Sequence, residues 1–127
     1  MRALVVDDST PARMLAGQML ANLGFEVYES VHGGQALEVL ARLGPVEVVL
    51  LDWNMPDVDG IQFLQALRQD RAMDAVAVVM ATSNADAESV ATAMGAGANE
   101  YVMKPFLQED LAAKLRILGF EFAEGVA

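Results

Sequence analysis

The chain has 127 residues, no cysteine and a formal net charge of −10, with eight Lys and Arg against eighteen Asp and Glu. That length suits one domain, the missing thiols exclude disulfides and thiolate metal sites, and the acidity argues against a nucleic-acid partner, which needs clustered cations. No charged-then-apolar leader opens the chain and no apolar stretch approaches the roughly 20 residues that span a bilayer, so a cytoplasmic protein without membrane contact is expected.

The first strand is expected at Ala3–Val6, which runs into the acidic pair Asp7 and Asp8. Helical spacing follows over Arg13–Leu23, carried by Met14, Leu15, Met19 and Leu23, with Pro11 in the first turn and Ser9 or Thr10 as the cap. Phe25–Tyr28 is the second strand and Gln35–Leu43 the second helix, with Ala36, Leu37, Leu40 and Leu43 on one face; His32, the lone histidine, falls in the Gly-rich loop between them and reads as solvated. Val46–Leu51 is the third strand and ends at Asp52. Ile61–Arg68 is the third helix, presenting Ile61, Leu64 and Leu67, with Asp59 as its expected cap. Val76–Ala81 leads into Thr82 and Ser83, then into a weakly amphipathic helix over Ala85–Met94 anchored by Val90 and Met94. Tyr101–Met103 leads into Lys104, and the last helix carries Leu107, Leu111, Leu115 and Leu118. Gly24, Gly44 and Gly95 stand where helices should stop. Residues 1–127 are read as one domain, with a core over about 1–119 and a short tail over 120–127 that holds Phe120 and Phe122.

Strand–helix alternation repeated five times, with strands apolar enough to be buried on both faces, means a parallel sheet covered by helices on each side. In such a doubly wound α/β sheet, ligands bind beyond the carboxyl ends of the strands, where strand order reverses. In the order 2-1-3-4-5 that crevice falls between the first and third strands. It receives Asp7, Asp8 and Asp52, with Thr82, Ser83 and Lys104 arriving from the next two strands. Carboxylates about 4 Å apart repel by roughly 4 kcal/mol per pair at an effective dielectric near 20, so a divalent cation or a raised pKa must relieve them. Oxygen donors without His or Cys favour Mg²⁺. Asp52 is then the plausible nucleophile toward a phosphoryl group, while the metal, Lys104 and Thr82 neutralise charge on the phosphoryl oxygens.

Four stretches carry a family resemblance. They are Val5-Val6-Asp7-Asp8-Ser9, Leu51-Asp52-Trp53-Asn54-Met55-Pro56 with Asp59-Gly60, Ala81-Thr82, and Tyr101-Val102-Met103-Lys104-Pro105-Phe106. The chain resembles, over essentially its whole length, the receiver domains of two-component response regulators, and most of all the stand-alone chemotaxis members. The resemblance implies that Asp52 accepts phosphate from a sensor histidine kinase or a histidine phosphotransfer protein. It implies Mg²⁺ held by Asp7, Asp8, Asp52 and the backbone carbonyl of Asn54. Thr82 becomes the switch hydroxyl, Tyr101 the aromatic that turns inward, and Lys104 a contact of the phosphoryl group, with a cis Lys104–Pro105 bond. A downstream target is expected on the face of helix four, strand five and helix five, where Val90, Met94, Met103, Phe106 and Lys114 form an apolar patch with one positive charge. A monomer or a phosphorylation-dependent dimer fits this reading. Ser83 stands where many such domains have a smaller residue, and Asn54 and Asn84 flank the site where the lifetime of the phosphorylated state is tuned.

Three rival readings are separated by the residues at the ends of the first and third strands. A metal-dependent phosphohydrolase of the haloacid-dehalogenase type needs its nucleophilic Asp after the first strand, a second acid two residues later and a cap insertion. A flavodoxin-like cofactor binder needs a hydroxyl- or glycine-rich phosphate loop where this chain has Asp7 and Asp8. A receiver that acts only as an unphosphorylated interaction module stays an alternative, against which the intact acidic set argues.

Overall fold

A computed structural model describes residues 1–54, 59–83 and 87–122. Five strands, β1 (Arg2–Val6), β2 (Glu26–Ser30), β3 (Val48–Asp52), β4 (Ala77–Thr82) and β5 (Glu100–Met103), alternate with five helices, α1 (Thr10–Asn22), α2 (Gly33–Leu43), α3 (Asp59–Gln69), α4 (Ala87–Ala96) and α5 (Gln108–Ile117). The strands form one parallel sheet in the order β2-β1-β3-β4-β5. A short 3-10 turn at Arg71–Met73, without a signal in the apolar periodicity, joins α3 to β4. Among the described residues no helix is long and apolar enough to cross a membrane.

Successive strand residues point to opposite faces, and that parity divides the core in two. Leu4, Val6, Val49, Leu51, Val78 and Met80 meet Ala36, Leu40, Phe63, Leu64, Leu67 and Ala93 on the side of α2, α3 and α4. Ala3, Val5, Val48, Leu50, Val79, Ala81 and Val102 meet Ala16, Leu20, Leu111 and Leu115 on the side of α1 and α5. The tail joins this second layer: Phe120 and Phe122 set their rings edge-on to Phe25, with centroids 5.8 and 6.1 Å away.

Two sequence expectations change here. On α1 the buried face is Ala16, Leu20 and the capping Leu23, while Met14 and Leu15 stand 64% and 59% exposed. The helix begins at Thr10 behind the Ser9 cap, and the stripe that faces the sheet passes through Ala16, Leu20 and Leu23 instead of Met14 and Leu15. At the end of α4, Gly95 lies inside the helix and Gly97 terminates it, with a φ of +120° that L side chains rarely adopt. A Cβ at Gly97 would sit 2.5 Å from Arg68 Cγ, whose guanidinium Nε donates to the Gly97 carbonyl at 3.0 Å.

Gly97→Ala is therefore expected to lower stability by roughly 1–3 kcal/mol, through a strained backbone and a clash with the Arg68 stem. Gly95→Ala, whose Cβ meets nothing within 4 Å, should raise stability by about 0.5–1 kcal/mol, the helix-interior preference for alanine. Urea unfolding of both variants checks the pair. Equal effects at the two positions would contradict the assignment of Gly97 as the terminator.

Candidate functional site

Each strand end delivers a polar side chain because the apolar run stops there and the backbone remains paired one residue further. The Asp7 N–H donates to the Ser30 carbonyl at 3.1 Å, the Trp53 N–H to the Ala81 carbonyl at 2.8 Å, and the Lys104 N–H to the Thr82 carbonyl at 2.8 Å. These bonds fix the residues just past β1, β3 and β5 as firmly as those inside the strands. The Lys104–Pro105 peptide is cis, as expected.

The result is an acidic cluster at the β1/β3 switch point. One carboxylate oxygen from each of Asp7, Asp8 and Asp52 lies within 4.8 Å of the other two. Asp7 and Asp52 are each only 5% exposed, whereas Asp8 is exposed. Lys104 supplies the balancing charge: its Nζ donates to Asp52 Oδ1 at 2.7 Å and lies 3.6 Å from Asp7 Oδ2. Asp52 Oδ1 also accepts the Asn54 N–H at 3.0 Å, and Asp7 Oδ1 accepts the Ser9 N–H at 2.9 Å. Burial, as the largest influence, raises the Asp7 carboxyl above its ordinary value; the Ser9 N–H and the Lys104 ammonium pull it down, and the Asp52 charge pushes it up. Three converging carboxylates, two of them out of water, fit a hard divalent cation with oxygen ligands.

Thr82 is 1% exposed at the end of β4, and Tyr101 is half-buried on β5. Strand parity puts both on the α4 side, whereas Asp52 shares the α1/α5 side with Val48 and Leu50. Of the expected output face, Met94 and Met103 are exposed, and Val90 and Lys114 are half-buried. Phe106 leaves that face and packs against the α1/α5 core layer. That is the side on which Val102 of β5 is also buried. The single positive charge of the patch is also partnered: Lys114 Nζ lies 3.3 Å from Glu100 Oε1 and 4.6 Å from the centre of the Tyr101 ring. Met55, Pro56 and Asn84 lie outside the described residues, and so does the side chain of Asp59.

Some participants carried no local signal in the sequence. Arg13 donates from Nη1 to the Asp7 carbonyl at 2.9 Å and from Nε to Glu29 Oε1 at 3.0 Å, clamping α1 to the strand ends beside the acids. The Asn54 side chain accepts the Ser83 N–H at 2.8 Å and so ties the loop after β3 to the loop after β4. Trp53, half-buried, lies over Gly60, where an added Cβ would come within 3.1 Å of its ring. His32 is exposed, and its Nδ1 accepts the Gln35 N–H, capping α2.

Comparison with known proteins agrees with this geometry. Residues 3–116 match the response regulator receiver domain. A Campylobacter jejuni protein described as a chemotaxis protein CheY homolog is 36% identical over 129 residues, covering 100% of this chain and 99% of that protein. Chemotaxis protein CheY1 of Helicobacter pylori is 36% identical over 119 residues, covering 93% of this chain and 96% of that one. Among solved structures, Vibrio cholerae chemotaxis protein CheY4 superposes with a TM-score of 0.85 at 28% identity, over 91% of this chain and 96% of that one.

The raised carboxyl of Asp7 has a measurable consequence. A folded-state pKa above the ordinary 3.8 means that ionised Asp7 opposes folding above that raised value, and that the opposition vanishes below the unfolded value. In metal-free buffer, Asp7→Asn should raise the melting temperature at pH 7. The gain should shrink as pH falls through the raised carboxyl value and vanish below the ordinary one. Thermal melts of both proteins across that range check it; a gain independent of pH would assign the effect to something other than the buried charge.

Proposed function

The chain belongs to the response regulator receiver family, and on that premise we propose that Asp52 accepts a phosphoryl group in a Mg²⁺-dependent reaction and thereby switches binding to a protein target. The observation that carries this reading is the Lys104 ammonium 2.7 Å from Asp52 Oδ1, inside a cluster of three acids at the ends of the sheet's inner strands. A lysine committed to a nearly buried aspartate at a switch point is placed to follow charge as that aspartate gains a phosphoryl group.

In the transfer, an Asp52 carboxylate oxygen forms a bond to phosphorus as the phosphorus–nitrogen bond of a phosphohistidine breaks, and the imidazole departs with that electron pair. Both fixed donors, the Lys104 ammonium and the Asn54 N–H, fall on Oδ1, so Oδ2 serves as the attacking atom. Asp7, Asp8, Asp52 and the Asn54 carbonyl would hold Mg²⁺, which supplies charge neutralisation on the phosphoryl oxygens when bound. Lys104 then exchanges its contact with Asp52 for one with the new phosphoryl oxygens. Thr82 hydrogen-bonds a phosphoryl oxygen and draws its loop inward, and Tyr101 moves into the space released.

A sensor histidine kinase or a histidine phosphotransfer protein is the donor. The target docks on α4, β5 and α5, around Tyr101, Met103, Pro105 and Lys114, which border one surface depression. Relatives described as chemotaxis proteins make motility control the candidate process. On this reading the protein acts in the cytoplasm as a single receiver domain, monomeric or dimerising on phosphorylation, and catalyses only its own phosphorylation and dephosphorylation.

Incubation with acetyl phosphate and Mg²⁺ should add one phosphoryl group to the intact protein by mass spectrometry, and Asp52→Asn should abolish the gain. Undiminished labelling of that variant would refute the assignment. Thr82→Ala should still be labelled, yet lose roughly tenfold of the beryllofluoride-dependent gain in target affinity, the loss of one charge-assisted hydrogen bond. An unchanged gain would send the signal by a route that bypasses Thr82.

A further inference from the structure

A chamber of about 350 Å³ opens beside the acidic cluster, on the α1/α5 side of the sheet. Its floor includes Leu50 and Ala81, and its walls include Ala12 and Ala16 of α1 and, across from them, Phe106. On the α1 side Leu15 and Met19 line it together with the two alanines, while Met14 is exposed. An apolar cavity of about 150 Å³ takes up benzene, so this chamber has room for a phenylalkyl or similar body. Its polar groups gather at one end: the carboxylates of Asp7 and Asp52 with the Lys104 ammonium between them, and Ser83. A concave apolar pocket with a few convergent polar groups is the usual form of a small-ligand site.

We propose that this chamber binds a small amphipathic monoamine, its apolar body against Ala16 and Phe106 and its ammonium at Asp7 and Asp52, in competition with Mg²⁺. Charge selects the headgroup. The rim carries two carboxylates and one ammonium, an excess of one negative charge, so an anionic head meets net repulsion and a cationic head net attraction. Occupation excludes the metal from the acidic cluster and so silences the phosphoacceptor. The site shares two acids with the proposed phosphotransfer site, but binding itself requires no phosphotransfer.

The test uses the full chain without phosphodonor and 2-phenylethylamine as the probe, followed by isothermal titration calorimetry. Saturable one-to-one binding is expected, with 2-phenylethanol (body without charge) and ethylamine (charge without body) each at least about tenfold weaker. Added Mg²⁺ should weaken the amine's apparent affinity. Ala16→Leu fills the chamber from α1 without touching a carboxylate, and should weaken the amine about tenfold while leaving Mg²⁺ affinity within about twofold. Circular dichroism verifies its fold, and Ala12→Leu replaces it if it does not fold. No saturable binding below about 10 mM, an alcohol as tight as the amine, indifference to Mg²⁺, or wild-type affinity in the filled variant would each overturn the proposal. Labelling of Asp52 by acetyl phosphate in the filled variant, read separately, shows whether the phosphoacceptor reading stands on its own.

Discussion

The structure turns on one ion pair, Lys104 with Asp52 at 2.7 Å, set among two further carboxylates. Two of the acids are almost wholly removed from water, and uncompensated charge in that position is costly. A parallel sheet can hold the cluster because the strand ends are fixed by ladder bonds that continue one residue beyond the apolar runs. The same bonds bring a cation from β5 across β4 to acids on β3 and β1. Lys104 is therefore both the neutraliser of the resting site and the group most sensitive to whatever replaces it, whether a metal or a phosphoryl group.

Strand parity then sets the problem that any signal must solve. The acids and Lys104 border the α1/α5 side of the sheet, while Thr82 and Tyr101 belong to the α4 side. On the proposed reading a signal would have to cross the sheet, and backbone hydrogen bonds offer a direct physical connection. The Lys104 N–H is bonded to the Thr82 carbonyl, and Tyr101 pairs with Met80 in the β4–β5 register. A shift of Lys104 would thus reach the residue carrying the hydroxyl, and through the same two strands the ring beside Lys114. Both sides must bias the same two-state element for such coupling to matter.

Much of this is legible in the sequence for a simple reason. Short apolar runs ending in Asp7, Asp52, Thr82 and Lys104 mark strand ends, and the doubly wound topology converts strand ends into neighbours. The illegible part depends on distances along the chain that periodicity does not reach. Glu100 partners Lys114 from strand to helix, and Arg13 reaches both the Asp7 carbonyl and Glu29. Met14 and Leu15 read as core because they are large and apolar, yet the helix turns its alanines inward. Phe106 lies beyond β5 and joins the α1/α5 layer, and Gly95 loses the terminator role to Gly97 because only the latter takes a positive φ. The tail aromatics have no periodic frame at all; Phe25, nearly a hundred positions earlier in the sequence, is their packing partner.

These local surprises share one consequence. The α2–α4 layer is filled by Phe63, Leu64, Leu67 and Leu40, each essentially buried, and close-packed cores resist displacement. The α1/α5 layer, by contrast, contributes alanines beside the acids and leaves a gap there. Charge and looseness are therefore placed together at one end of the sheet, with rigidity on the other face. A change in charge at Asp52 would meet least packing resistance on the α1 side, whereas Thr82 and Tyr101, the switch residues of the proposed reading, are seated on the other face. Displacement transmitted there by the β4–β5 backbone would arrive against a closely packed layer. On the proposed reading it would be resolved at the rim of half-buried Tyr101 and exposed Met103, where side chains have more room to respond.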